Sequence, residues 1–166
     1  MRRSVFFGIA LALAFPVTPM LAEGPTRKPT LNQPFTIDAG LACSFPLHGE
    51  PVIDQEVTKT FPPEPNGDVK QIITGRLVFE LTNLENHKSL TVNISGPVSA
   101  IFHPDGSIRA DFGGRSGPLV FFPTDIPPGP KAFINSGKIV IDITPTGQFV
   151  LVRQSGHEQD VCALLS

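Results

Sequence analysis

Apolar and polar residues alternate in short runs along most of the chain from residue 35 onward. In residues 72–82, Leu77, Phe79 and Leu81 would share one face of an extended strand, with polar side chains on the other. Sequences rich in proline, glycine and asparagine separate about ten such runs, at intervals of about 8–12 residues. We therefore predict an all-β fold, and we expect a two-sheet antiparallel sandwich.

The same pattern predicts where the chain turns and which strands are buried. Residues 86–88, 104–106 and 145–147 have the composition of hairpin turns. The apolar run 119–122 predicts a buried central strand, and residues 161–164 predict a short last strand. The architecture would be immunoglobulin-like, but the chain has neither tryptophan nor tyrosine, which disfavours a standard immunoglobulin domain.

Residues 1–22 have the composition of a secretory signal peptide. Arg2 and Arg3 precede an apolar run over residues 5–15, which suits a signal sequence and is too short to cross a bilayer. We expect cleavage after Ala22. The protein would then be secreted and extracellular, with no membrane anchor after cleavage.

Beyond the signal peptide, the composition divides the chain into an arm and a domain. Residues 23–34 are polar and rich in proline, which predicts a flexible N-terminal arm. Residues 35–166 carry the alternating pattern throughout, and their number is typical of one domain. We therefore expect a single β-sandwich domain over residues 35–166.

Cys43 and Cys162 are the two cysteines of the chain. In an exported protein two cysteines normally form a disulfide bond. A Cys43–Cys162 bond would join the two ends of the domain and close a loop of about 120 residues, which by the chain-entropy argument stabilises the fold by about 4–5 kcal/mol.

The charge of the chain narrows the range of partners. The formal net charge is −2 at pH 7, and it becomes more negative when the two arginines of the signal peptide are removed. A mildly acidic surface disfavours nucleic acid and anionic membranes as partners. We expect a monomer without a cofactor.

A metal site is one hypothesis for the chemistry of the chain. If the two cysteine segments paired as antiparallel neighbours, His48 would face His157, with Glu158 close by. Imidazole and carboxylate groups in one patch can bind a divalent metal ion. The alternative is that both histidines lie in turns beyond the end of the pairing, because each stands next to a glycine.

The run FPTDIPPGP at residues 122–130 is the most distinctive motif. Its prolines predict a stiff, exposed loop, and such a loop binds partners at a reduced entropic cost. Asp125, Pro127, Pro128 and Gly129 are its candidate binding residues. The alternative is that the loop only connects the two sheets.

Three further motifs contain residues that can be modified or take part in catalysis or phosphate binding. Asn93-Ile94-Ser95 is an N-glycosylation sequon, and the alternation predicts an outward-facing Asn93, which a eukaryotic host could modify. Residues 103–106 contain a histidine and an aspartate but have the composition of a turn. Residues 113–117 are glycine-rich without a phosphate-loop lysine, which favours a flexible loop.

Several short motifs occur together in an order that resembles a known family. They are CSFP at 43–46, SGP at 95–97, PDG at 104–106, FPTDIPPGP at 122–130 and DVCAL at 160–164. This order resembles an uncharacterised family of small secreted β-rich proteins of fungi and actinobacteria. The resemblance implies export, the fold and the disulfide bond, and it implies no catalytic or binding residue.

The sequence thus favours a secreted, non-enzymatic binding or surface-interaction module. Its partner would be an extracellular protein or a component of the cell surface or wall. Two alternatives stay open at this point. One is a secreted hydrolase or metal-dependent enzyme that uses His48 and His157, and the other is a structural protein of a cell wall or coat.

Overall fold

The structure, a computed structural model, describes residues 24–166, and the predicted signal peptide lies outside the described residues. Within this range the chain forms twelve strands and one short helix. They are β1 (Thr26–Pro29), β2 (Phe35–Ile37), β3 (Leu47–Thr60), β4 (Val69–Asn83), β5 (Ser89–Asn93), β6 (Val98–Phe102), β7 (Ile108–Phe112), β8 (Arg115–Phe121), β9 (Lys131–Ser136), β10 (Ile139–Ile143), β11 (Phe149–Gln154), β12 (His157–Asp160) and α1 (Val161–Leu165). The strands pair antiparallel in two sheets, which confirms the all-β prediction.

The larger sheet is built on β3 and β4, which are 14 and 15 residues long and pair along most of their length. The other strands of this sheet are much shorter, so different neighbours occupy the two ends of the pair. At one end β2 pairs with β3 and β5 pairs with β4. At the other end the sheet continues from β4 through β6, β7 and β10 to β11. We call these the short arm and the long arm.

The smaller sheet, in the order β12-β9-β8, lies between the two arms. Its central strand β9 is buried on both faces because successive side chains point in opposite directions. Ala132 and Ile134 pack in a core with the short arm and α1. Phe133 packs with Leu119 and Phe121 of β8 in a second core, which the long arm completes.

The position of β9 corrects one sequence-based prediction. The apolar run 119–122 was predicted to be the central strand, but β8 lies at an edge of the smaller sheet. An apolar run indicates burial, and Leu119 and Phe121 are indeed buried. It does not indicate which strand has two neighbours, because that depends on the pairing of distant segments.

The C-terminus also differs from the prediction, because residues 161–164 form the helix α1 rather than a strand. Asp160 begins the helix as its N-cap, with its carboxylate accepting a hydrogen bond from the Ala163 amide at 3.0 Å. Val161 and Leu165, one helical turn apart, are both fully buried in the first core. The helix therefore covers one end of the short arm.

Cys43 and Cys162 form the predicted disulfide bond, with their Cα atoms 5.4 Å apart. Cys43 lies in the turn segment before β3, and Cys162 lies in α1. The bond therefore fixes the C-terminal helix to the segment that leads into β3.

The N-terminal arm is not a free tail over its whole length. Residues 26–29 form β1, which pairs antiparallel with the end of β3 from Thr26 opposite Thr60 to Pro29 opposite Val57. The pattern of apolar residues did not predict this strand, because its side chains are exposed. The strand contributes backbone hydrogen bonds to the sheet rather than buried apolar surface. The boundary predicted at residue 35 is therefore too late.

We expect the Cys43→Ala/Cys162→Ala double variant to be less stable by about 2–5 kcal/mol, because the unfolded chain gains the freedom of a 119-residue loop. Urea unfolding with linear extrapolation measures the difference. Ser44→Ala, in the same turn and exposed, is the control and should change stability by about 0.5 kcal/mol or less. A double variant as stable as this control would contradict the role of the bond.

Candidate functional site

A β-bulge in β3 decides which side chains of this strand face the interior. The register of β3 against β4 shifts between Pro51 and Ile53, which leaves Val52 as the extra residue. One extra residue transfers every later side chain to the opposite face of the sheet. Glu56, whose partner in β4 is Gly75, therefore points inward, and its side chain is buried with the residue only 7% exposed.

Glu56 lies on a cleft at the point where the two arms separate. β4 pairs with β6 as far as Ile73 and with β5 from Val78 onward. The cleft has a volume of about 290 Å³. We call it the fork cleft, and its lining residues are Thr30, Asn32, Glu56, Ile73, Leu77, Ile94, Gly96, Val98, Phe112, Ser116 and Gly117.

Close backbone packing forms one side of the fork cleft. The amide of Gly96 donates to the carbonyl of Arg115 at 2.9 Å, and the amide of Gly113 donates to the carbonyl of Pro97 at 2.9 Å. A side chain at position 96 would collide with the carbonyl oxygens of Gly113 and Arg115, so only glycine fits. Residues 113–117, predicted as a flexible loop, are thus fixed by hydrogen bonds, and β8 begins within them.

Asn32 holds together two carboxylates, that of Glu56 on the cleft and that of the neighbouring Asp54. Its side-chain amide donates to Glu56 Oε2 at 3.0 Å and to Asp54 Oδ2 at 3.3 Å, and its backbone amide donates to the same Asp54 oxygen at 2.9 Å. Burial raises the pKa of the Glu56 carboxyl above its ordinary value; the hydrogen bond from Asn32 opposes the rise, and the charge of Asp54 adds to it.

Ser116 contributes the second buried polar group. The residue is 3% exposed, and its hydroxyl has no hydrogen-bond partner among the described residues. Leaving a buried hydroxyl unpaired costs about 1–3 kcal/mol. The hydroxyl oxygen is itself enclosed by protein atoms, so it lowers the stability of the cleft wall without contacting solvent.

The predicted metal site is not formed. His48 lies in β3 of the larger sheet and His157 in β12 of the smaller sheet, and these strands do not pair. The prediction assumed that the two cysteines stand on neighbouring strands. It is wrong because Cys43 precedes β3 and Cys162 lies in a helix, so the disulfide bond sets no strand register.

Glu158, the third residue of that predicted site, is bonded elsewhere. Its carboxylate accepts hydrogen bonds from Lys131 Nζ at 2.8 Å and Gln154 Nε2 at 2.9 Å. Partial burial raises the pKa of the Glu158 carboxyl, but the two donors outweigh this and hold it below its ordinary value. Across residues 24–166, no group of three histidine, cysteine, aspartate or glutamate side chains is placed to hold a metal ion.

Asp125 is a buried anchor of the proline-rich loop rather than part of an exposed binding surface. It is 4% exposed, and its two oxygens accept hydrogen bonds from the amides of Phe122 at 2.6 Å and Phe149 at 2.9 Å. Pro127 and Pro128 are exposed. Only part of the predicted binding loop therefore faces solvent.

The loop covers an edge of the larger sheet. Ile126 donates from its amide to the Phe149 carbonyl at 2.8 Å and accepts from the Leu151 amide at 2.7 Å, so it pairs with the outermost strand β11. A covered edge is protected from pairing with other chains. At Gly129 a side chain would collide with the Phe121 carbonyl, so this glycine is needed for the loop to close. These contacts favour the connecting role over the binding role.

The turn at residues 103–106 is confirmed, with Gly106 at φ +86°. His103 Nδ1 lies 2.8 Å from Asp68 Oδ1, but the nearby Ser107 hydroxyl donates to Asp105 at 2.6 Å. The hydrogen bonds from Ser107 hold the pKa of the Asp105 carboxyl below its ordinary value. The hydroxyl is thus directed away from the histidine, and these residues do not form a Ser-His-Asp relay.

Asn93 is exposed at the end of β5, as the alternation predicted. Its side-chain oxygen accepts hydrogen bonds from the Ser95 amide at 3.1 Å and the Ser95 hydroxyl at 2.6 Å. The geometry leaves the side chain accessible, and glycosylation of Asn93 stays a prediction.

Sequence reasoning missed the residues that form the fork cleft. The composition predicted a flexible arm around Asn32 and a flexible loop around Ser116, and no motif singled out Glu56. The one available signal was Pro51, because proline inside a strand indicates an edge or a bulge.

Comparison with known proteins gives no match to a protein-family model, a curated protein or a solved structure. In the part of the chain that the structure describes, no helix is long and apolar enough to cross a membrane. We therefore base the functional proposal on the residues of the cleft.

We expect Glu56→Gln to raise the free energy of unfolding at neutral pH. Below pH 4.5, the ordinary pKa of the group, the substitution should change this free energy little. Because folding raises this pKa, the folded state binds protons more readily, and the free energy of unfolding falls as the pH rises through the folded pKa. Glutamine keeps the acceptor for Asn32 without the charge, so the variant loses this pH dependence.

Thermal unfolding at acidic and neutral pH measures the effect of Glu56→Gln. Glu85→Gln, which removes the same charge from an exposed turn, is the matched control and should show no such difference. A Glu56→Gln variant that is destabilised at neutral pH would contradict the prediction.

We expect Asp125→Ala to lower the free energy of unfolding by about 2–3 kcal/mol, because two amides lose a charged acceptor. Thr124→Ala, in the same loop and exposed, should stay within about 0.5 kcal/mol of the parent protein. Urea unfolding of the two variants compares them. Equal stability of both would show that Asp125 does not anchor the loop.

Proposed function

We propose that the protein is an exported, non-enzymatic binding protein that takes a small ligand into the fork cleft. The observation that carries the proposal is the buried Glu56 carboxyl on a mostly apolar cleft, with the buried Ser116 in the cleft wall. Binding sites commonly combine apolar walls with a few buried polar groups. Groups that lower the stability of the free protein and face a cleft favour ligand binding.

Export is supported by features at both ends of the chain. The signal-like composition of residues 1–22 directs a protein out of the cytoplasm. The Cys43–Cys162 bond requires an oxidising compartment to persist. The resemblance to small secreted β-rich proteins agrees with both features.

A binding role is favoured over the two alternatives. The enzyme hypothesis depended on His48 and His157, and these residues lie in different sheets. His103 is paired with Asp68, and the neighbouring hydroxyl is bonded away from it. A structural coat protein has no need of a cleft with a buried carboxyl group. The cleft also favours a small ligand over the macromolecular surface that the sequence suggested.

Ligand entry can be followed with a single introduced fluorophore, because the chain has no tryptophan or tyrosine. We expect the tryptophan of a Phe112→Trp variant, on the cleft wall, to change its emission saturably with members of a small-molecule fragment set. The set should hold neutral, cationic and anionic fragments of about 8–14 non-hydrogen atoms, which suit a cleft of this size. The same fragments should raise the melting temperature of the parent protein.

Phe122→Trp, on the exposed proline-rich loop, is the control reporter. It should not respond to the fragments that bind in the cleft. If the loop reporter responds and the cleft reporter does not, the binding site is the loop. If no fragment of any charge changes the emission of Phe112→Trp or the melting temperature, the proposed function is wrong.

A further inference from the structure

The charge on the fork cleft points to the chemistry of its ligand, if the proposed binding function holds. Asp54 and Glu56 stand together, and no lysine or arginine lines the cleft. Among residues 24–166, none of the four ion pairs includes either carboxylate. Glu56 therefore gives the cleft an acidic group that forms no ion pair with a described residue, and Asp54 beside it adds negative charge, so a cationic group is the complementary partner.

The hydrogen-bonding capacity of the cleft also favours a donor. Of the two Glu56 oxygens, only Oε2 accepts a hydrogen bond from the described residues, and that bond comes from Asn32. A carboxylate oxygen only accepts hydrogen bonds. A ligand with an N–H donor can therefore satisfy the other Glu56 oxygen.

The walls define the rest of the ligand. Five apolar side chains face the cleft, namely Ile73, Leu77, Ile94, Val98 and Phe112. The volume of about 290 Å³ is roughly twice that of an engineered apolar cavity of about 150 Å³ that accepts benzene. An aromatic ring with a short side chain therefore fits these walls.

We propose that the fork cleft binds a primary ammonium compound with an aromatic or branched apolar body, with the ammonium group on the Glu56 carboxylate. The apolar body lies against the walls of β4, β6 and β7. Asn32 is a positioning residue, since it fixes the Glu56 carboxylate without lying among the apolar walls.

Three compounds with the same ring test the ligand class, namely 2-phenylethylamine, 2-phenylethanol and phenylacetate. Isothermal titration of the disulfide-bonded protein should show the ammonium compound binding about tenfold or more tightly than the alcohol, and the carboxylate not binding. An alkylammonium, like lysine with its pKa of about 10.4, stays charged through neutral pH. Its affinity should therefore rise as the pH rises through the pKa of Glu56, while that of the alcohol should not.

Variants separate the contact from general effects of charge. Glu56→Gln should remove the preference for the ammonium compound over the alcohol, because the variant has no charged carboxylate in the cleft. Glu85→Gln, which removes one surface charge, should change neither affinity.

Each outcome decides between the ligand class and the proposed function. Equal binding of the ammonium compound and the alcohol, or equal effects of Glu56→Gln and Glu85→Gln, overturns the ammonium assignment. Binding of the alcohol or the carboxylate alone overturns the assignment and leaves the binding function standing. Failure of all three compounds overturns the assignment, and the fragment titration of Phe112→Trp then decides whether the binding function falls too.

Discussion

Hydrogen bonding along the long β3–β4 pair is the constraint on which the rest of the structure depends. The two strands of this pair are longer than all their neighbours, so β3 and β4 have different neighbours at their two ends. The larger sheet therefore divides into two arms. The smaller sheet fills the space between the arms, which buries β9 on both faces and creates two cores. The fork cleft lies where the change of neighbours leaves residues 74–77 of β4 without a strand partner on the side away from β3.

The cleft concentrates features that lower stability. A buried carboxyl with a raised pKa, a second carboxylate beside it and an unpaired hydroxyl all cost free energy in the free protein. The surrounding fold tolerates them because two cores and a disulfide bond stabilise it. Buried polar groups that lower the stability of the free protein are more typical of functional sites than of purely structural regions.

Local patterns predicted the parts of the fold that local physics controls. Alternation placed Leu77, Phe79 and Leu81 on the buried face of β4, and all three are buried. The turns at 104–106 and 145–147 were predicted because their glycines can adopt positive φ, and Gly106 and Gly147 do so. The strand β1 and the helix α1 were missed, because each is stabilised by contacts with segments far away in the sequence.

The sequence by itself determined the fold class, the hairpins and the disulfide bond, since alternation, turn composition and the number of cysteines are local or countable properties. Tertiary structure alone decided that β9 is central, that His48 and His157 lie on strands that do not pair, and that Glu56 faces inward. The physical reason is register. A single extra residue at Val52 exchanges the two faces of a strand, and only the pairing with β4 shows that it is there.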